Sequence, residues 1–176
     1  MDSREQRLIE RTKKGDRNAF EQLISPYSAA LYNYIAFRVS NDADADDIIQ
    51  ETMLSIWRSI ASYNYKSSFK TWAFSIAIRR LIDFYRKNGG NENLPLTDFE
   101  NVFKAKDNIS ESIERMDVER ALSNLNSKES ELVYLVFYAQ LSYTEVSAVL
   151  DIPVGTVKSR MSGIKAKLKN LLSQEG

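Results

Sequence analysis

The sequence predicts an all-α protein: two small helical domains joined by a flexible acidic linker, the second domain containing a helix-turn-helix. Three observations carry that prediction. Only six glycines and three prolines interrupt 176 residues. Apolar residues recur at the three-to-four spacing of helices and nowhere alternate as strands do. The stretch Asn88–Asn108, NGGNENLPLTDFENVFKAKDN, is polar and acidic, with a Gly-Gly pair and a proline, and reads as the linker. It separates residues 1–87 from residues 109–176. Helices are expected at Ser3–Lys14, Asn18–Val39, Ala43–Ser62, Ser68–Lys87, Ile109–Ser123, Lys128–Tyr138, Tyr143–Leu150 and Val154–Leu172.

Composition narrows the function. The chain has no cysteine and no histidine, which removes zinc fingers, thiol nucleophiles and histidine acid–base chemistry. A carboxylate-only metal site is then the main remaining enzymatic route, so a non-enzyme without cofactor is expected. No apolar run approaches the roughly 20 residues of a membrane span, and no signal-peptide pattern opens the sequence. The expectation is a cytoplasmic protein with no membrane insertion. Net charge is zero but unevenly spread. Arg58–Lys87 holds seven basic residues and one acid, Lys158–Lys169 holds five basic residues and no acid, and Asp42–Glu51 holds five acids and no base. Separate charged surfaces imply separate partners.

Along the first domain, Ala19, Phe20, Leu23, Ile24, Tyr27, Leu31, Tyr34 and Ile35 form one apolar stripe, read as core. In the next helix, Ile49, Met53, Ile56, Trp57 and Ile60 give an inner stripe. Asp47, Gln50, Glu51, Leu54 and Arg58 lie opposite. A leucine framed by carboxylates suits a basic protein partner, since acids repel nucleic acid. The acids Asp44, Asp46 and Asp47 equally suit the helix N-terminal dipole.

The helix Ser68–Lys87 has two sides when projected at about 100° per residue. Phe74, Ala77, Ile78, Leu81 and Tyr85 face inward. Phe69, Trp72 and Ile76 lead on the other side into Arg79, Arg80, Asp83, Arg86 and Lys87, and Tyr63, Tyr65 and Lys66 precede the helix. Aromatics beside cations are what unpaired bases and their backbone require. Burial in the helix pair is the competing reading for Phe69 and Trp72.

In the second domain, Ser142 and Glu145 make a capping box, and Val146, Val149 and Leu150 give that helix its apolar face. Asp151–Val154 forms a turn, with Pro153 suited to a helix start. The last helix carries Val157, Met161, Ile164, Leu168 and Leu171 as its inner stripe. Ser159, Gly163 and Ala166 lie opposite, between Lys158, Lys165 and Lys169 on one flank and Arg160 and Lys167 on the other. A thin ridge with basic edges matches a helix that enters a major groove while its flanks meet phosphates. A plain helical hairpin with solvated lysines is the structural alternative.

The runs DADDIIQETMLSIWRSI, YNYKSSFKTWAFSIAIRRLIDFYRK and LSYTEVSAVLDIPVGTVKSRMSGIKAKLK, in this order and spacing, resemble bacterial sigma factors of the extracytoplasmic-function group. The VGTVKSR string and the frame of Asp47, Gln50, Glu51 and Trp57 carry the same likeness, which spans nearly the whole chain. The resemblance implies an all-α, non-enzymatic subunit that gives core RNA polymerase its promoter specificity. Asp47, Gln50, Glu51, Leu54 and Arg58 would dock on the polymerase clamp. Tyr63, Tyr65, Lys66, Phe69, Lys70 and Trp72 would melt the −10 element, and Arg79, Arg80, Asp83, Arg86 and Lys87 would recognise it. Thr156, Lys158, Ser159, Arg160, Ser162 and Lys165 would read the −35 element, beside a flap contact. Implied partners are the polymerase clamp and flap and double-stranded and locally melted promoter DNA; an anti-sigma protein is an open further partner.

Three positions depart from the family pattern: Arg79 stands for a common Asn, Gly163 for a common Arg, and Asn126 for a common Pro. The first two bear on −10 and −35 preference; Asn126 is expected to be harmless. A stand-alone helix-turn-helix regulator, or a sigma-like polymerase adaptor without DNA reading, are the alternatives from other classes.

Overall fold

A computed structural model describes residues 3–39, 41–88 and 120–173. The linker beyond Asn88, and most of the helix expected at Ile109–Ser123, lie outside the described residues; 120–123 are helical. All regular structure among the described residues is helical. In order come α1 (Ser3–Lys13), α2 (Arg17–Phe37), α3 (Asp42–Ser59), α4 (Phe69–Lys87), α5 (Ser127–Val133), α6 (Tyr143–Leu150) and α7 (Val154–Ser173).

Short polar side chains set most boundaries. The chain turns after α1 at Gly15, whose φ of +88° falls where a side chain would be strained. Asp16 then accepts the Ala19 amide at 3.0 Å and is held by Arg11 at 2.7 and 2.9 Å. Asn41 caps α3 through the Asp44 amide at 2.8 Å, and Ser68 caps α4 through Thr71 at 3.1 Å. The helix expected to run to Ser62 ends in a 3₁₀ turn, Ile60–Ser62. The helix expected over Lys128–Tyr138 starts one residue earlier, and its second half is a π-turn, Tyr134–Tyr138.

The sequence departure at Asn126 has a structural role. Its side chain accepts the Lys128 and Glu129 amides at 3.1 and 3.0 Å, while Glu129 accepts the Asn126 amide at 2.9 Å. A complete capping box therefore stands where a proline is common. The box expected at Ser142 and Glu145 is also formed, with amide bonds of 3.3 and 2.9 Å. Asp151 ends α6 in the left-handed region at φ 53°, and Pro153 precedes α7, whose first turn donates to the proline carbonyl from Thr156 and Val157.

Helices α1 to α4 form the first unit, and α5 to α7 the second. The units share a seam, because α4 packs against α6 as well as against α2 and α3. At its centre the Tyr134 ring stacks on Phe37 (5.5 Å, 16°) and lies 5.6 Å from Tyr34, and its hydroxyl donates to the Ala30 carbonyl at 3.2 Å. Tyr34 donates to Glu131 at 2.6 Å. Arg38 Nη1 lies 3.2 Å from the same Glu131 oxygen, out of line for a hydrogen bond, and its Nε meets no acceptor. Nearer the start of α4, Glu145 accepts from Ser68 at 2.8 Å and Thr71 at 2.9 Å. Partial burial pushes the Glu145 carboxyl up, but the bonds from Ser142, Ser68 and Thr71 outweigh it and hold the group down at about 2.

Two predictions follow from these caps. Asn126→Ala removes a box and should cost about 1 kcal/mol, read as a lower denaturant midpoint at unchanged m-value. The bonds at Glu145 depress its folded value below the roughly 4.3 of an unfolded glutamate. They therefore contribute stability above pH ~4.3 that is lost as pH falls towards about 2. Glu145→Gln should lose less stability than wild type across that interval; equal losses in urea midpoints would exclude the carboxylate as the cause.

Candidate protein-docking and nucleic-acid faces

The outer side of α3 presents Asp47, Gln50, Glu51, Leu54 and Arg58, all exposed, with Leu54 at 44%. Asp42 and Asp44 occupy the first turn, and Asp44 also accepts from the Asn41 side chain at 2.7 Å. A dipole role accounts for these two. It reaches Asp47 only weakly, because the effect fades beyond the first turn. The inner stripe differs from the expected one. Ala45, Ile48, Thr52 and Ile56 are the buried residues of α3, whereas Ile49, Met53 and Trp57 are half-buried. Thr52 can be buried because its hydroxyl donates to the Ile48 carbonyl at 2.7 Å.

The aromatic and basic set before and along α4 separates into core and surface. Tyr63 and Phe69 are 3% and 0% exposed, so the rings expected to meet bases form instead the floor beneath the loop. Phe69 packs 5.8 Å from Tyr27, Tyr63 5.1 Å from Trp72, and the Tyr63 hydroxyl donates to the Ser67 carbonyl at 2.7 Å. Trp72 is half-buried in this cluster. Ile76 is buried as well, since a second side of α4 is covered.

Lys66, Arg79, Arg86 and Lys87 are exposed. Arg80 and Asp83 pair at 3.4 Å. Lys70 is half-buried and donates to the Gln140 carbonyl at 3.3 Å; burial lowers its pKa against the opposing pull of Glu145.

Tyr65 has a backbone φ of 62°, uncommon for an aromatic residue. Its hydroxyl donates to Glu10 at 2.5 Å, and Lys13 lies 4.6 Å from its ring centroid. Burial, then the Glu10 bond, push its pKa up to about 12. This clamp from α1 fixes the loop and has no local sequence signature.

On α7, Lys158, Ser159, Arg160, Ser162 and Lys165 are exposed and Thr156 is half-buried. Of the predicted stripe, Val157, Met161 and Ile164 are buried beneath them, whereas Leu168 and Leu171 are half-buried. A Cβ added at Gly163 would meet nothing within 4 Å, so the ridge is open. Lys167 is tied back to Glu129 at 2.9 Å and supports the α5 cap. Sequence reasoning missed this tie and the Ser68–Thr71–Glu145 network, because each joins residues far apart in the chain. No helix of the described residues is long and apolar enough to cross a membrane, and no group of three or more acidic side chains among them could hold a metal ion.

Two family models match the chain: Sigma-70 region 2 over residues 23–90, and Sigma-70 region 4 over residues 115–168. The chain is 30% identical to the ECF RNA polymerase sigma factor SigK of Mycobacterium ulcerans, covering 94% of this chain and 91% of that one. It is 30% identical to SigM of Mycobacterium tuberculosis, covering 90% and 79%, and 29% identical to the ECF sigma-E factor of Haemophilus influenzae, covering 94% of each. The fold is similar to RpoE of Bartonella quintana, solved with the anti-sigma factor NepR (TM-score 0.64, 24% identity, 88% of this chain and 96% of that one). It is also similar to CnrH, solved with the cytosolic domain of CnrY (TM-score 0.67, 23% identity, 99% and 100%). Two region matches in order, on an all-helical chain with relatives at this identity over most of their length, establish that the protein belongs to the extracytoplasmic-function group of RNA polymerase sigma factors.

Proposed function

We propose that this sigma factor divides its work among three exposed faces. Residues 1–87 dock on core polymerase and handle the −10 element, 88–108 tether, and 109–176 read the −35 element. The observation that carries the reading is the segregation of surface charge. The outer side of α3 is acidic around exposed Leu54, whereas the free side chains of α4 and α7 are basic.

Asp47, Gln50, Glu51, Leu54 and Arg58 are assigned to the polymerase clamp. Their carboxylates would oppose phosphate but complement a basic protein surface, with Leu54 as the apolar anchor. Lys66, Arg79, Arg86 and Lys87 are assigned to the −10 strand. Tyr65 and the exposed edge of Trp72 are the aromatics left to meet unpaired bases, and Tyr63 and Phe69 support them from below. Lys158, Ser159, Arg160, Ser162 and Lys165 are assigned to −35 DNA, with Thr156 beside them at the start of α7. The chain contributes no catalytic group in this reading; the polymerase performs the chemistry, in the bacterial cytoplasm. An anti-sigma protein is included as a partner class because RpoE of Bartonella quintana is captured with one.

Run-off transcription with core polymerase and a genomic promoter library tests the whole assignment, since it reads function and both promoter preferences together. Leu54→Asp should abolish co-purification with core polymerase at unchanged helicity; retained binding would place docking elsewhere. Lys158→Ala with Arg160→Ala should weaken −35-dependent transcription and lower the salt slope of DNA binding by about two units. An unchanged slope with unchanged transcription would remove α7 from the DNA interface.

A further inference from the structure

Helix α1 belongs to none of the three assigned faces, yet it grips the loop before α4 through Tyr65. The Tyr63 hydroxyl ties down the far end of that loop at the Ser67 carbonyl, 2.7 Å away. At the tip, the Lys66 amide reaches Asn64 Oδ1 only at 3.3 Å. Tyr65 lies between them with a φ of 62°, a conformation that glycine adopts at no steric cost and a bulky side chain does not. Such a backbone persists where its surroundings over-determine it. Here the surroundings come from α1. The Tyr65 hydroxyl donates to Glu10 Oε1 at 2.5 Å, Lys13 Nζ lies 4.6 Å from the ring centroid and 3.2 Å from the same Glu10 oxygen, and the ring packs on buried Tyr63 (4.9 Å, 54°).

This grip is more than the docking of α1 requires. Leu8, Ile9 and Thr12 bury that helix, and Glu5 accepts from Tyr27 at 2.5 Å. Glu10 itself is exposed, so what it fixes is the loop. We infer that Glu10 is a positioning residue for opening of the −10 element: it holds Tyr65 in place to receive an unpaired base, so that the loop is ordered before DNA arrives. The inference rests on the assignment of Tyr65 to the −10 strand made above. Ordering one side chain in advance tightens binding by about two- to tenfold, because the entropy is lost before the encounter. The sign separates this role from a plain surface charge. A carboxylate near a phosphate path opposes DNA, so removing an idle one would strengthen binding. Removing a positioning one weakens it.

The test uses holoenzyme assembled from the full chain and core polymerase, with a promoter selected in the run-off library. One template has its −10 region opened in advance by mismatches and gives Kd. The other is intact duplex with 2-aminopurine in the −10 strand, whose fluorescence follows opening. Glu10→Ala should weaken binding to the pre-opened template by about two- to tenfold and slow opening of the duplex, at unchanged affinity for core polymerase. Tyr65→Phe keeps the ring, removes the hydroxyl and should lose a similar amount. The double variant should lose no more than either single one, since both remove the same bond. Glu10→Gln keeps an acceptor and should recover most of the loss.

Unchanged or tighter binding in Glu10→Ala, additive losses in the double variant, or a loss in Glu10→Gln as large as in Glu10→Ala would each overturn the inference. Should Glu10→Ala lose helicity, Tyr65→Phe decides alone, and wild-type binding by it would overturn the inference. Tyr65→Gly separates the positioning role from the assignment beneath it, because glycine accepts the backbone conformation and deletes the ring. Wild-type binding by Tyr65→Gly defeats the assignment of Tyr65 to the −10 strand and the role of Glu10 with it. A loss in Tyr65→Gly without a loss in Glu10→Ala defeats the positioning role alone.

Discussion

Helix α4 is packed from two directions, and much else in the molecule depends on that. Its inner side, with Phe74, Ala77 and Leu81, completes the four-helix unit against α2 and α3. Its start and one flank receive α6. A helix covered on two sides has little surface left for a partner, and what remains is Arg79, Arg86 and Lys87 at the far end. Phe69 and Ile76, which a single-sided projection places outside, are both buried, Phe69 against Tyr27 of α2 and the Tyr63–Trp72 cluster.

The seam is held by residues that also do local work. Glu145 closes the box of its own helix and accepts two hydroxyls from the start of α4. Glu129 closes the box at Asn126 and receives Lys167 from α7. A carboxylate has room for several donors, so one side chain can cap a helix and position a neighbour together. Helix α5 is short and runs directly into a π-turn, which leaves it little intrinsic stability. Its cap, the Lys167 tie and the Tyr134 stack supply what helix propensity alone does not.

These couplings set what was legible in the sequence. Helical periodicity placed every element of the described residues, and the boxes at Ser142 and the inner stripe of α7 were readable because their partners are within one or two turns. The expected inner stripe leaves out Thr52, which is buried because its hydroxyl is satisfied by a backbone carbonyl four residues back, a bond a polarity scale does not register. Tyr63 is read from the sequence as a candidate base contact, and Phe69 is left between base contact and burial, because the pattern of aromatics beside cations is the same whether the rings face solvent or the helix pair. The Tyr34–Glu131 bond spans 97 residues, and no local pattern announces a contact of that separation.

Gly163 shows where the reason for a residue leaves the chain. A glycine in a helix interior costs about 1 kcal/mol relative to alanine. Inside this structure nothing offsets that cost: an added Cβ would touch no neighbouring atom. Packing would thus accept alanine, and the backbone needs no special conformation there. The position lies on the open ridge between the basic flanks of α7, where a missing side chain lets another surface come closer to the helix axis. The common guanidinium is lost, and close approach is what remains in exchange. In the DNA-reading assignment, the −35 contact then shifts from a charged arm at this position to groove fit along Ser159, Gly163 and Ala166, with Lys158, Arg160 and Lys165 left to hold the phosphates.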